Sequence, residues 1–527
     1  MDIFQFAEID KFLIYFKPLS QYGKTNFNKR KLYFDLNKLN DIYNLIDILK
    51  DFCSSNPQLV THIENYLKKI QIIDIGNEYN FSDIFLIKKL LINYTKILDK
   101  LPDDIKDIFQ LKFNSHELLD LLLKDNSQNE TFYISVAFSD ELANIRNQIA
   151  EIDIQIAQHK NKVIEDINQN YNLNFIYQDF VVIPTSKVKD LTTTQFHFEP
   201  YDNEHLIAKI NYPKEFFDLL QTRENLTEKE QNIVNQIIRE ISDKIKSEND
   251  NLIHYIKAIT NFDILLAKAK LALEFNLIRP TLLKNNSKIS IKNGYFIPLK
   301  ERCKKNNTVY THLTVEFNHK VNIINGSNMG GKTILLKTIL FLQILAQLGF
   351  FVPCDIFETV LFEHLGYIGE TENQNYEGLS SFGIEITSFN ENEKHFNKIN
   401  LLIIDEFART TNSIEAKAIL NSIIEYITNN PNCYAFISTH FMDLHRFENV
   451  GYYRMKGLNY EEYQKSYISE NLTLNERIKL INAFMQYEVV KNDDKKPILD
   501  ALKISSILGI NKKILELTNK YIERGDE

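Results

Sequence analysis

Eight residues, Gly326-Ser327-Asn328-Met329-Gly330-Gly331-Lys332-Thr333, constrain this chain more than any other stretch. They follow a short apolar run, Val321-Asn322-Ile323-Ile324, and precede a helical run from Ile334 to Leu348. Strand, glycine loop and helix form the context in which G-x-x-x-x-G-K-[ST] makes a phosphate cradle. Gly326, Gly330 and Gly331 permit a tight turn, so that the backbone N–H groups from Gly326 through Ser327, Asn328, Met329, Gly330 and Gly331 can face phosphate oxygens. The helix adds the positive end of its dipole. Lys332 is placed to reach the β- and γ-phosphates, and the Thr333 hydroxyl to ligate Mg²⁺. The stretch implies binding of a nucleoside triphosphate, with ATP and Mg²⁺ as the expected ligands.

At 527 residues the chain is too long for one ordinary core, and length suggests roughly three or four domains. Its formal charge of −9, with no long basic run, argues against strong non-specific binding to nucleic acid phosphates. Cys53, Cys303, Cys354 and Cys433 are scattered without metal-ligand spacing, as in a reduced intracellular protein. The N-terminus carries acids where a signal peptide needs positive charge. The most apolar window, Ile339 to Val352, is interrupted by Gln343 and Gln347 and is short for a membrane span. A cytoplasmic protein with no membrane contact is expected.

Residues 1–138 carry Leu, Ile and Phe at three- and four-residue spacing, the pattern of packed amphipathic helices. His62 and His116 stand alone there and read as surface residues rather than ligands. From Ser139, a candidate N-cap followed by Asp140 and Glu141, the residues Leu142, Ile145, Ile149, Ile152, Ile156 and Val163 trace an a/d seam. A second long helix is read as opening at Thr227-Glu-Lys-Glu230, a capping-box pattern, with its stripe running to Leu266. Two such helices form either an antiparallel arm or part of an ordinary bundle. Between them, in 171–215, lie the β-like runs Phe180–Ile183, Phe196–Phe198 and Leu206–Ile210, bounded by prolines. That tip carries four lysines against six acids, a net of −2, which does not suit a grip on phosphates. Lys288 to Pro298 reads as strand and turn, with Tyr295 or Phe296 able to stack on adenine or to fill the core.

Leu401-Leu-Ile-Ile-Asp405-Glu406 has the form of a strand buried on both faces and ending in two acids. Strand carboxyl ends are where open α/β sheets gather ligands. Asp405 is the candidate Mg²⁺ ligand, and Glu406 the base that polarises water attacking the γ-phosphate. Ala435-Phe-Ile-Ser-Thr-His440 is a further buried strand, with His440 placed to sense that phosphate. The catalytic set is therefore Lys332, Glu406 and His440, and the metal pair Thr333 and Asp405.

Asn328-Met-Gly-Gly-Lys-Thr333, Gly349-Phe-Phe-Val-Pro353, Ser380-Ser-Phe382 with Glu385, Asp405-Glu-Phe-Ala-Arg-Thr-Thr411 and Ser438-Thr-His440 occur in that order. Together they resemble the ATPase domain of the MutS family, relatives of the ABC ATPases. The resemblance implies paired subunits, as homodimer or MutS-like heterodimer, forming two composite ATP sites. Ser380 would then reach the nucleotide of the partner. The implied fold is α+β and multidomain. It has a helical core (1–138), a lever-arm helix pair with a short β tip (139–275; tip 171–215), an α/β P-loop ATPase domain of ABC type (276–460) and a C-terminal helical dimerisation region (461–527).

Departures from the pattern are equally specific. The family's mismatch-reading module and its Phe-x-Glu wedge find no counterpart before the core. The glycine-rich run that follows the family's Walker B acids reads Ala408-Arg-Thr-Thr-Asn-Ser413 here. Two functions match these features. One is an ATPase coupled to DNA binding in mismatch repair or recombination. The other acts on a protein client, similar to the MutS-like ATPase that reactivates a cobalamin-dependent aminomutase.

Overall fold

The structure, a computed structural model, describes residues 2–27, 31–124, 131–175, 179–191, 194–284, 288–327, 329–369, 380–441, 443–465, 473–492 and 500–525. The chain divides into two compact units. One comprises Met1–Leu19, Gly23–Thr61 and Asn261–Glu527; the other comprises Ser20–Tyr22 and His62–Thr260. Residues 1–138, expected as one N-terminal piece, are thus shared between the two.

In the second unit, helices Asp140–Tyr171 and Lys214–Ser247 pack along each other. Ser139 caps the first, its side chain accepting from Leu142 N–H, with Asp140 and Glu141 in the opening turn. Arg146 pairs with Glu230 at 2.7 Å, and Arg223 with Asp153 at 2.5 Å. Moving forward along one helix moves backward along the other, so the pair is antiparallel. Ile149, Ile152 and Ile156 stay half-buried, as a seam closed by a single partner helix leaves them. The capping box read at Thr227 does not form. Helix Lys214–Ser247 contains no Gly or Pro and runs straight through it, Thr227 Oγ1 donating to Arg223 O as a mid-helix residue. The helical stripe breaks instead at Glu248, before helix Asn249–Glu274.

The three β-like runs become β1 (Phe180–Pro184), β2 (Phe196–Pro200) and β3 (His205–Ile210), an antiparallel sheet of order β1-β3-β2. Phe175, Ile183, Phe196, Ala208 and Ile210 bury against Ile167 of the first arm helix.

The first unit holds two sheets. β4 (Thr281–Leu283), β5 (Ile289–Gly294), β6 (Leu313–Phe317) and β8 (Ile356–Val360) form one, in the order β4-β8-β5-β6. The other contains β7 (Val321–Asn325), β9 (His364–Ile368), β10 (Asn400–Asp405), β11 (Cys433–Thr439), β12 (Val450–Leu458) and β13 (Met485–Lys491), in the order β13-β12-β7-β11-β10-β9. All its pairings are parallel except β12 with β13. β7 and β11 are buried at every position and β10 at all but its last, and β10 and β11 are mostly apolar, as in a sheet covered on both faces. Helix Lys332–Gln347 is buried on nearly every face, which explains why it is rich in Leu and Ile all round.

One expectation changes here, and for Phe296 the core alternative holds. Residues 461–527 were expected to be helical, yet Met485-Gln-Tyr-Glu-Val-Val-Lys491 alternates at period two and adds β13 to the sheet beside helices Leu474–Phe484, Asp500–Leu508 and Lys512–Gly525. Phe296 is 0% exposed and packs edge-on to Phe341, so it belongs to the core and cannot stack on a nucleotide. Tyr295 donates to Phe275 O and carries the Lys300 ammonium over its ring. No helix of the described residues is long and apolar enough to cross a membrane.

Candidate functional site

The parallel order puts the carboxyl ends of β7, β11 and β10 side by side. Asn325 registers with Thr439, and Ser438 with Asp405. The glycine loop leaves β7 here, and its last residue, Gly331, stands at φ +91 as it starts the helix at Lys332. A side chain at 331 would be strained there, and its Cβ would lie 3.0 Å from the ring of Tyr487 on β13. The loop closes on itself through Gly330 N–H to Ser327 O at 2.9 Å. Met329 is exposed, whereas Asn328 lies outside the described residues.

Lys332 is 2% exposed and its ammonium is fully engaged. Nζ donates to Gly326 O at 2.7 Å and Ser327 O at 3.1 Å, and pairs with Glu406 Oε1 at 3.0 Å. The other oxygen of Glu406 lies 3.6 Å from Arg409 Nη1. Asp405 sits one residue back, at the last position of β10. Ser438 Oγ donates to Asp405 Oδ1 at 2.5 Å and accepts from Glu406 N–H at 3.0 Å. The Thr333 hydroxyl also bonds to Asp405. Burial pushes the Asp405 carboxyl up, with Glu406 adding to the rise, while the Ser438 and Thr333 hydroxyls and Lys332 oppose it. His440 follows β11, its ring tilted over Phe441. Desolvation holds its imidazole below the ordinary 6.5; Glu406 pulls it up, and Lys332, Arg409 and Lys417 push it further down.

Lys332, Thr333, Asp405, Glu406 and His440 are therefore gathered at one sheet edge. Ser380 is not joined to them by a hydrogen bond or ion pair. It caps helix Ser381–Glu393, its exposed hydroxyl accepting from Gly383 N–H. Ser438, Arg409 and Glu385, present in the sequence only as members of the quoted motifs, had no role assigned to them there. Ser438 had two visible signals, a hydroxyl near the carboxyl end of a mostly apolar strand and its place in Ser438-Thr-His440.

The residues fit a nucleotide phosphate and a divalent cation. Ser327 Oγ is buried without a hydrogen-bond partner, a polar atom in the cradle with bonding capacity to spare. Thr333 and Asp405, an alcohol and a carboxylate already in contact, are the oxygen donors a small hard cation takes beside phosphate.

Residues 322–487 match the family model for MutS domain V. DNA mismatch repair protein MSH3 of Vanderwaltozyma polyspora is 28% identical over 389 residues, covering 73% of this chain and 34% of that protein. DNA mismatch repair protein MutS of Clostridioides difficile is 24% identical over 419 residues, covering 77% of this chain and 42% of that protein. Endonuclease MutS2 of Lactobacillus acidophilus is 28% identical over 330 residues, covering 61% and 40% respectively. The chain spans less than half the length of these relatives.

Proposed function

This chain belongs to the MutS family, and on that footing we propose that it is an ATPase whose hydrolytic cycle is coupled to DNA, as in mismatch repair or recombination. The observation that carries the reading is the double engagement of Lys332, held by the loop carbonyls of Gly326 and Ser327 and by the carboxylate of Glu406.

The phosphates of ATP compete for the Lys332 ammonium, since a polyanion is a stronger partner than two carbonyls. Lys332 turning toward them frees Glu406, which then orients and polarises the attacking water. The same charge thus binds substrate and releases the base. Asp405 and Thr333 would hold Mg²⁺, which would neutralise phosphate charge there. Ser438 fixes the Asp405 carboxylate and, through Glu406 N–H, the backbone that carries the base. His440 stays neutral near pH 7 and can accept or donate a hydrogen bond at the γ-phosphate. Ser380, at the exposed start of its helix, supplies hydroxyl and N–H donors to the nucleotide of a second subunit, as homodimer or heterodimer.

A second reading, a protein client, is favoured by the arm tip. Its sequence is net acidic, and Lys209 is paired with Glu199 while Asp179 takes Lys160. A net negative tip suits a phosphate backbone poorly. The test is ATP turnover at physiological salt, with and without homoduplex, mismatched and branched DNA. A DNA-dependent change in turnover, with salt-sensitive binding, supports the first reading. Turnover blind to every DNA excludes it and favours the client.

A further inference from the structure

Glu406 and Ala408 both lie in the left-handed region, at φ +52 and +59. Side-chain-bearing residues enter it at a cost, and keep it only where their surroundings over-determine the backbone. Two elements do so here. From β11, Ser438 accepts Glu406 N–H through its hydroxyl at 3.0 Å and its carbonyl at 3.2 Å. From helix Ser381–Glu393, Glu385 Oε2 accepts Ala408 N–H at 2.7 Å, and Phe382, one turn earlier, sets its ring 6.2 Å from that of the buried Phe407. Glu385 is itself buried. A buried carboxylate is expensive unless donors serve it, so one kept on a helix whose Phe382, Ile386 and Phe389 pack against the core has work to do.

We propose that Glu385 is a positioning residue that locks the left-handed loop 406–408, so that helix Ser381–Glu393 and the catalytic carboxylate of Glu406 move as one body. The inference rests on the ATPase reading above. The helix begins at Ser380, which that reading places against a second subunit's nucleotide. Docking of Ser380 shifts the helix, Glu385 carries the shift to Ala408, and Glu406 is set relative to Lys332, 3.0 Å away. One subunit's nucleotide thereby gates the base in the other. Alanine at 408 makes the device sensitive: it prefers to leave the left-handed region once the clamp lets go, whereas glycine would stay.

The experiment measures MgATP turnover and KM, thermal midpoint, and amide hydrogen exchange across 406–411. The variants are Glu385→Ala, Glu385→Gln and the double change Glu385→Ala with Ala408→Gly. Glu385→Ala is expected to lower kcat at least about tenfold while KM stays within about twofold, the mark of lost transition-state positioning. Glu385→Gln, whose amide oxygen still accepts from Ala408 N–H, retains most of the rate. The double variant recovers part of it. A Glu385→Ala protein with wild-type kcat overturns the proposal, as does a loss confined to KM or one that Ala408→Gly fails to relieve. Hydrogen exchange keeps the two claims separate. If the wild type hydrolyses no ATP, the ATPase reading fails, yet faster exchange at 406–411 in Glu385→Ala still supports the clamp, and unchanged exchange removes it.

Discussion

Lys332 and Glu406 each have partners that exclude a single fixed role. Lys332 is shared between loop carbonyls and a carboxylate, and Glu406 between an ammonium and the guanidinium of Arg409. Such sharing lets substrate phosphate redistribute the charges without leaving any of them buried and unpaired. A second buried amine in the same unit is different in kind. Lys268 donates to Leu348 O and Gly349 O, the carbonyls just past helix Lys332–Gln347, and lies over the ring of Phe350. Burial pushes its ammonium from the ordinary 10.5 down to about 7. Between those values the unfolded chain holds a proton there that the folded chain does not, so folding stability rises with pH through that window. The burial penalty is fully present below about 7. Lys268→Met is expected to flatten the rise, a change on the order of a few kcal/mol between pH 7 and 10. Urea denaturation of both proteins at several pH values reads it, and parallel pH curves would count against it. At this scale Lys332, Thr333, Asp405 and Glu406 were legible because a motif spacing and a strand end mark them. Ser438, Arg409 and Glu385 stood in the quoted motifs without roles, because each acquires its role only when distant segments are folded together.

Elements were legible where hydrophobic period and cap chemistry agreed, and misread where a cap pattern stood alone. Ser139 is a true N-cap, its own backbone extended at φ −155 and ψ 132 and acids after it. Thr227 has the same letters around it, but the residues upstream from Lys214 are equally helix-compatible, and nothing stops the helix there. Ser139→Ala should therefore cost about 1 kcal/mol of stability. Thr227→Ala, exposed and mid-helix, should stay within about 0.5 kcal/mol. Equal losses from the two changes in denaturant unfolding would show the cap assignment to be wrong. β13 was missed because its alternation is short and sits between helical runs. It matters for the site, since its Tyr487 packs against Gly331 of the phosphate loop.

For the whole molecule, the proposed mechanism takes the loop, Thr333, Asp405 and Glu406 from one chain and leaves Ser380 apart from them on an exposed helix start. In that proposal a second subunit completes the site. Ser380→Ala should lower turnover only under conditions in which the protein is dimeric, measured as specific activity against protein concentration. An equal loss in a monomer would count against action across subunits. The domain boundaries expected from the sequence, and the coupling to DNA or a client, depend on how segments far apart in the chain assemble, which local pattern does not encode. The central claim is narrower: Glu406 is the base of an ATPase built on Lys332. Its most direct test is steady-state ATP turnover with Mg²⁺ for the wild type and Glu406→Gln, alongside ATP binding. The account predicts that Glu406→Gln binds ATP as tightly or more tightly and loses at least about a hundredfold in kcat. Turnover by Glu406→Gln equal to that of the wild type would contradict it.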